Sequence, residues 1–187
     1  MATTIDSTTD AIDFLVDQHG RIRQLFAETA GTSDPVERES KFFELRRLLA
    51  VHETAEEEII HPRARRELRD GASIIDARLE EEKKAKKPLA EMESLDISSM
   101  EFQVRLAKLC EAVLAHADHE EREEFNRLRA ELDDETLQRL RRTVELAETM
   151  APTRPHPGVE SATANVLVGP FAAMMDRAKD MISKPRH

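Results

Sequence analysis

The sequence predicts an all-α protein, an up-down-up-down four-helix bundle with additional C-terminal helices docked on it. Three observations carry this expectation. The 187 residues include five Gly, no Trp and no Tyr, with 35% charged side chains, which suits long helices joined by short connections rather than sheets. Apolar residues recur every three or four positions along four separate stretches. Capping residues and chain breakers fall between those stretches. The length suits one domain, read as a bundle over residues 1–132 and a helical extension over 133–187 packed on it.

Thr9 or Asp10 can cap a first helix, whose stripe is Ile12, Leu15, Val16, Ile22 and Phe26 with His19 among them. After the breaker "GTSDP", Asp34 is a good N-cap with Pro35 at the first helical position. The second stripe is Phe42, Leu45, Leu49, His52, Glu56 and Ile59, and Pro62 is expected to kink or end this helix. "RDGAS" resets the chain before a third helix with Ile75, Leu79, Glu82, Ala85, Leu89 and Met92 on one face and a bend at Pro88. Ser98 with Glu101 forms a capping box for the fourth, whose stripe is Phe102, Leu106, Leu109, Val113, His116 and Glu120. Beyond Asp133 a shorter helix carries Leu137, Leu140, Val144 and Ala147. The proline-rich "APTRPHPGVES" reads as an irregular crossing, and a last amphipathic helix follows with Val166, Phe171, Met174, Met175, Ala178, Met181 and Ile182.

The formal net charge of −10 argues against nucleic acid or an anionic membrane as partner, because both need a basic footprint. A small molecule or a cation fits better. The single cysteine, Cys110, has no internal disulfide partner and reads as a small buried side chain. No basic-then-apolar leader and no membrane-length apolar run is present, so the expectation is a soluble cytoplasmic protein, a monomer or weak homo-oligomer.

The feature that points to chemistry is a doubled motif, H-x-x-x-E-E, in "VHETAEEEIIHP" and "AHADHEEREEF", with His52 and His116 separated by 64 residues. Each helix stripe of the bundle runs into a ligand-type side chain. On a helix, residues four apart share a face, so His52 with Glu56, and His116 with Glu120, can each grip one ion. A carboxylate buried without a partner costs several kcal/mol. Six such groups, His19, His52, Glu56, Glu82, His116 and Glu120, converging in one core therefore call for bound metal. Mixed imidazole and carboxylate donors suit iron or manganese, whereas structural zinc favours thiolates and a closed tetrahedron. Glu53 is an additional candidate beside the surface reading of its carboxylate. His116 is preferred over its competitor His119 because it continues the stripe. His61 lies nine residues after His52, on nearly the opposite face of a regular helix, and is expected to be structural or exposed. Glu57 and Glu121 are expected to point outward or to support the inner groups.

A lone His on the first helix, "HETAEE" followed by Pro62 on the second and "HADHEE" on the fourth resembles the hemerythrin-like proteins, the HHE cation-binding domain, over roughly residues 10–130. The resemblance implies a four-helix bundle holding two iron ions in a non-heme centre that binds or reacts with oxygen, peroxide or nitric oxide. It also implies an alternative, a non-enzymatic module that binds or senses oxygen or iron. The family usually places another histidine on the third helix. "LEEEKKAKKPL" contains none, and the stripe puts Glu82 at that position, for a set of three histidines and three glutamates.

Overall fold

The protein is described here by a computed structural model covering residues 9–150, with side chains to 146. The predicted last helix and the proline-rich crossing lie outside the described residues. Helix α1 (Ala11–Gly31) starts at Asp10, which accepts from the Ile12 and Asp13 amides while Asp13 accepts from the Asp10 amide, a reciprocal cap. Helix α2 (Pro35–Ala55) starts at Asp34 with Pro35 at its first position. It then widens into a π-helical segment, Glu56–Ile60, and continues as α3 (His61–Glu67). Pro62 sits in the first turn of α3, where its missing amide hydrogen is tolerated, so the chain passes through it rather than ending there.

At the turn that follows α3, a side chain on Gly71 would collide with the Ala64 carbonyl oxygen and come 2.8 Å from Arg65 backbone, so only glycine allows this close approach. Helix α4 (Gly71–Met92) runs through Pro88. Helix α5 (Met100–His119) is followed by a second π segment, Glu120–Phe125, and α6 (Asn126–Glu131). Its cap is Ser99 rather than the expected Ser98. The Ser99 hydroxyl accepts from the Phe102 amide at 3.1 Å, while the Ser98 amide is drawn to Asp96. Helix α7 (Asp134–Met150) follows.

The bundle closes as a ring: α1 packs on α2, α3 on α4, α4 on α5 and α5 on α1, which leaves α2 and α5 diagonal to each other. The all-α bundle expected from the periodicity is therefore the observed architecture. Helix α7 lies against α1 and α2, with Leu137, Leu140 and Val144 buried. Most stripe positions are inside, with two exceptions. Val16 and Leu79 are exposed, and Arg78 takes the inward place beside Ile74, Ile75 and Glu82. Among the described residues the interior divides into two apolar clusters. One contains Leu15, Ile60, Ile75, Phe125 and Leu140, and the other Ile22, Leu45, Met92, Phe102 and Leu109. His19, His52, Glu82 and Glu120 each fall, along their own helices, between residues of the first cluster and residues of the second.

Candidate metal centre

The six residues singled out from the sequence meet in that intervening layer. His19 Nε2 lies 3.3 Å from Glu120 Oε2 and 3.9 Å from Glu56 Oε1. His52 Nε2 is 3.2 Å from Glu56 Oε1, and His116 Nε2 is 3.2 Å from Glu120 Oε1, each pair one helical turn apart. Glu82 enters from α4, its Oε1 at 2.9 Å from His61 Nε2. Two sets of donor atoms lie within 4.8 Å of one another: His19, His52, Glu56 and Glu120, and then His61, Glu82 and Glu120. Glu120 belongs to both sets, a geometry that lets one carboxylate serve two cations.

The position of His61 corrects the sequence expectation. Nine residues of α-helix turn about 900°, which places the ninth side chain on the opposite face. The π segment between Glu56 and Ile60 closes with the His61 amide bonded to the Glu56 carbonyl, an i to i−5 step that accommodates one extra residue. The net rotation from His52 then falls to about 80° beyond two full turns, and His61 points inward, fully buried. The doubled motif does the same on the other side of the bundle. There Phe125, nine residues after His116, turns inward and stacks on the His19 ring with centroids 5.6 Å apart.

Every imidazole is oriented through its other nitrogen. Nδ1 of His19 is 2.9 Å from Glu121 Oε1, that of His52 2.8 Å from Gln18 Oε1, that of His61 2.9 Å from Glu124 Oε1, and that of His116 3.0 Å from Glu81 Oε2. These partners are oxygen acceptors, which assigns a proton to Nδ1 of each ring and turns Nε2 inward; at His61 that Nε2 also faces a carboxylate, Glu82 Oε1 at 2.9 Å, so a metal there would displace a second proton. Gln18, Glu81 and Glu124 carried no signal in the sequence beyond membership of polar runs. Glu121 has the supporting place expected for it.

The inward atoms form a set that lacks ordinary partners. Nε2 of His19, His52 and His116 and both oxygens of Glu56 and Glu120 are buried without a hydrogen bond. Burial, with the charge of Glu120 nearby, pushes the Glu56 carboxyl well above its ordinary range. Burial acts on Glu120 too, but the imidazoles of His116 and His19 outweigh it and hold that carboxylate below its ordinary range. Burial and the neighbouring His19 lower His52 to about 3. For His61, burial is outweighed by hydrogen bonds to Glu124 and Glu82, which lift it to about 10. At His116 burial is outweighed by the adjacent carboxylate of Glu120, 3.2 Å away, which lifts it to about 9. Protons thus do part of the neutralising that a cation would do, and the all-nitrogen-and-oxygen donor set fits a hard or borderline metal ion.

Among the remaining candidates, Glu53 is largely buried, and burial raises its carboxyl to about 7. Glu57 lies outside and pairs with Lys86. His119 is half-buried and shares Glu81 with His116, its Nδ1 3.0 Å from Glu81 Oε1. Cys110 is partly buried against the cluster that contains Phe102. Beside the centre lies a cavity of about 20 Å³, lined by His19, His52, Glu53, Glu82 and His116 and by the apolar side chains of Ile22, Leu49 and Val113. That volume holds about one water or one molecule of similar size.

The family described as the hemerythrin HHE cation binding domain matches residues 10–128. A protein of Nostoc sp. named "DNA nickase" is 28% identical over 117 residues, which make up 63% of this chain and 33% of that protein. The chain therefore spans about a third of the length of that relative. No solved structure matches.

Proposed function

The chain belongs to the hemerythrin HHE cation-binding family, and from that premise we propose that it is a non-heme di-iron protein reacting with oxygen, peroxide or nitric oxide. The observation that carries the reading is the cavity. It holds about one molecule of water size, and its wall is half apolar and half formed by three inward imidazoles with Glu53 and Glu82. His19, His52, Glu56 and Glu120 would hold one iron. His61, His116, Glu82 and the shared Glu120 would hold the second. Iron held there supplies electrons and an open coordination position for a small oxidant.

The chain's own residues do the rest. Gln18, Glu121, Glu124 and Glu81 fix the four rings by their Nδ1 protons, so the Nε2 atoms need no rearrangement when a cation arrives. Ile22, Leu49, Ala85, Val113 and Ala117 keep bulk water from the cavity and favour an apolar diatomic guest. Iron is preferred to manganese or zinc, since structural zinc favours thiolates and a closed tetrahedron.

A non-enzymatic reading, reversible binding or sensing of oxygen or iron, rests on the same cavity. The printed name of the Nostoc relative suggests DNA as a substrate. The net charge of −10 and a cavity of one-water size favour a small molecule instead. Among the described residues no helix is long and apolar enough to cross a membrane. The deciding experiment follows the iron-loaded protein with hydrogen peroxide and, separately, with oxygen. Multiple turnovers of peroxide support the enzymatic reading, a reversible oxygenated optical band supports the binding module, and iron below about one per chain after reconstitution removes both.

A further inference from the structure

Alongside the centre, α2 and α4 make less backbone contact than α1 with α2, α4 with α5 or α1 with α5. The small cavity reaches this seam, since Glu53 from α2 and Glu82 and Ala85 from α4 are in its wall. Lys86 crosses the seam. Its ammonium pairs closely with Glu57, lies 3.3 Å from Glu82 Oε2 and 3.7 Å from Glu53 Oε2. Side-chain exposure falls along this line, from 48% at Lys86 and 35% at Glu57 to 14% at Glu53 and 1% at Glu82. Three carboxylates thus lead from solvent to the interior, and a positive side chain of the protein lies across them.

Resting on the reading of the buried cluster as a cation centre, we propose that divalent metal ions reach it along Glu57, Glu53 and Glu82, and that Lys86 is the positioning residue that holds this route shut until a cation displaces it. Glu82 makes the connection. One of its oxygens faces His61 within the cluster, and the other faces Lys86 outside it. Releasing Lys86 frees the outer oxygen of a side chain whose inner oxygen already stands among the candidate ligands. The exchange is cation for cation, so the line of carboxylates is never left uncompensated, which in a half-buried seam would be costly. A neutral guest such as oxygen has no charge with which to compete for these carboxylates and gains nothing from the displacement.

The test is stopped-flow uptake of cobalt(II) by the metal-free full-length protein, comparing wild type with Lys86→Met and Lys86→Arg at low and high salt. Removing the ammonium is expected to speed uptake by about tenfold or more at low salt, because the acidic line then attracts the ion unopposed. The final cobalt content should be unchanged, the arginine variant should load at the wild-type rate, and added salt should narrow the gap. Lys86→Gln serves in place of Lys86→Met if the latter fails to fold by circular dichroism. Uptake by the neutral variant at or below the wild-type rate, or an acceleration that salt leaves untouched, overturns the role of Lys86. A wild-type protein that takes up no cobalt at all overturns the underlying cation centre, a result distinct from the first.

Discussion

Each of the four inward imidazoles gives its Nδ1 proton to a side-chain oxygen, and the identity of that oxygen decides how firmly the ring is held. His61 is the clearest case, because Glu124, itself fully buried, does nothing visible except hold it. Replacing His61 with Ala should therefore lower the iron bound per chain and alter its optical spectrum, while His119→Ala should do neither. Glu124→Gln should weaken metal binding about 10- to 100-fold without abolishing it. Metal analysis and competitive titration with a chelator check all three variants, and a His61→Ala protein with wild-type metal content would remove the residue from the centre. Six of the side chains in this layer were legible in the sequence because they continue apolar stripes with regular helical spacing. His61 was not, since its inward orientation depends on a widened turn that leaves no compositional mark. The oxygens that orient the rings belong to acidic runs that read equally well as solvated surface.

The helices themselves were legible to within a residue or two wherever a cap or breaker carried the signal. Asp34 with Pro35 and the reciprocal pair at Asp10 are both in place. The shift from Ser98 to Ser99 arose because two adjacent serines are equivalent as caps until Asp96 engages one of them. The exchange of Leu79 for Arg78 on the inner face is a tertiary choice, since Arg78 there reaches Glu81 and Glu123. Asp10 offers a test at this scale. Burial alone would raise its carboxyl, but Arg129 and the Asp13 and Ile12 amides hold it below its ordinary value of 3.8. A carboxylate depressed in the folded state stabilises above its unfolded value, and that stabilisation disappears as pH falls through the folded value. Asp10→Asn should thus cost on the order of 1 kcal/mol near neutral pH and progressively less in acid below about pH 4. Urea melts of the metal-free protein at several pH values measure it, and a pH-independent cost would show that the carboxylate charge is idle.

At the scale of the whole molecule, the fold accepts a polar layer between two apolar clusters, and a bound cation would make that layer favourable. Buried Glu56, without a hydrogen bond and beside the charge of Glu120, opposes folding in the metal-free protein. Metal that binds only the folded chain stabilises it by about 4 kcal/mol when present at about a thousand times its Kd. For a chain of this size the melting temperature should then fall by on the order of 10 °C when a chelator strips the metal. Calorimetry with and without iron checks this, and coincident melting curves would count against a structural contribution of the ion. The same layering sets where the molecule gives way first. Stripped of its ion, the bundle resembles two tight collars joined by a weak waist, with two of its four rods, α2–α3 and α5–α6, widened where they cross it. Breathing would begin midway along the rods rather than at their frayed tips, and the amide hydrogens of Glu56–Ile60 and Glu120–Phe125 would trade with solvent ahead of those deep in either collar.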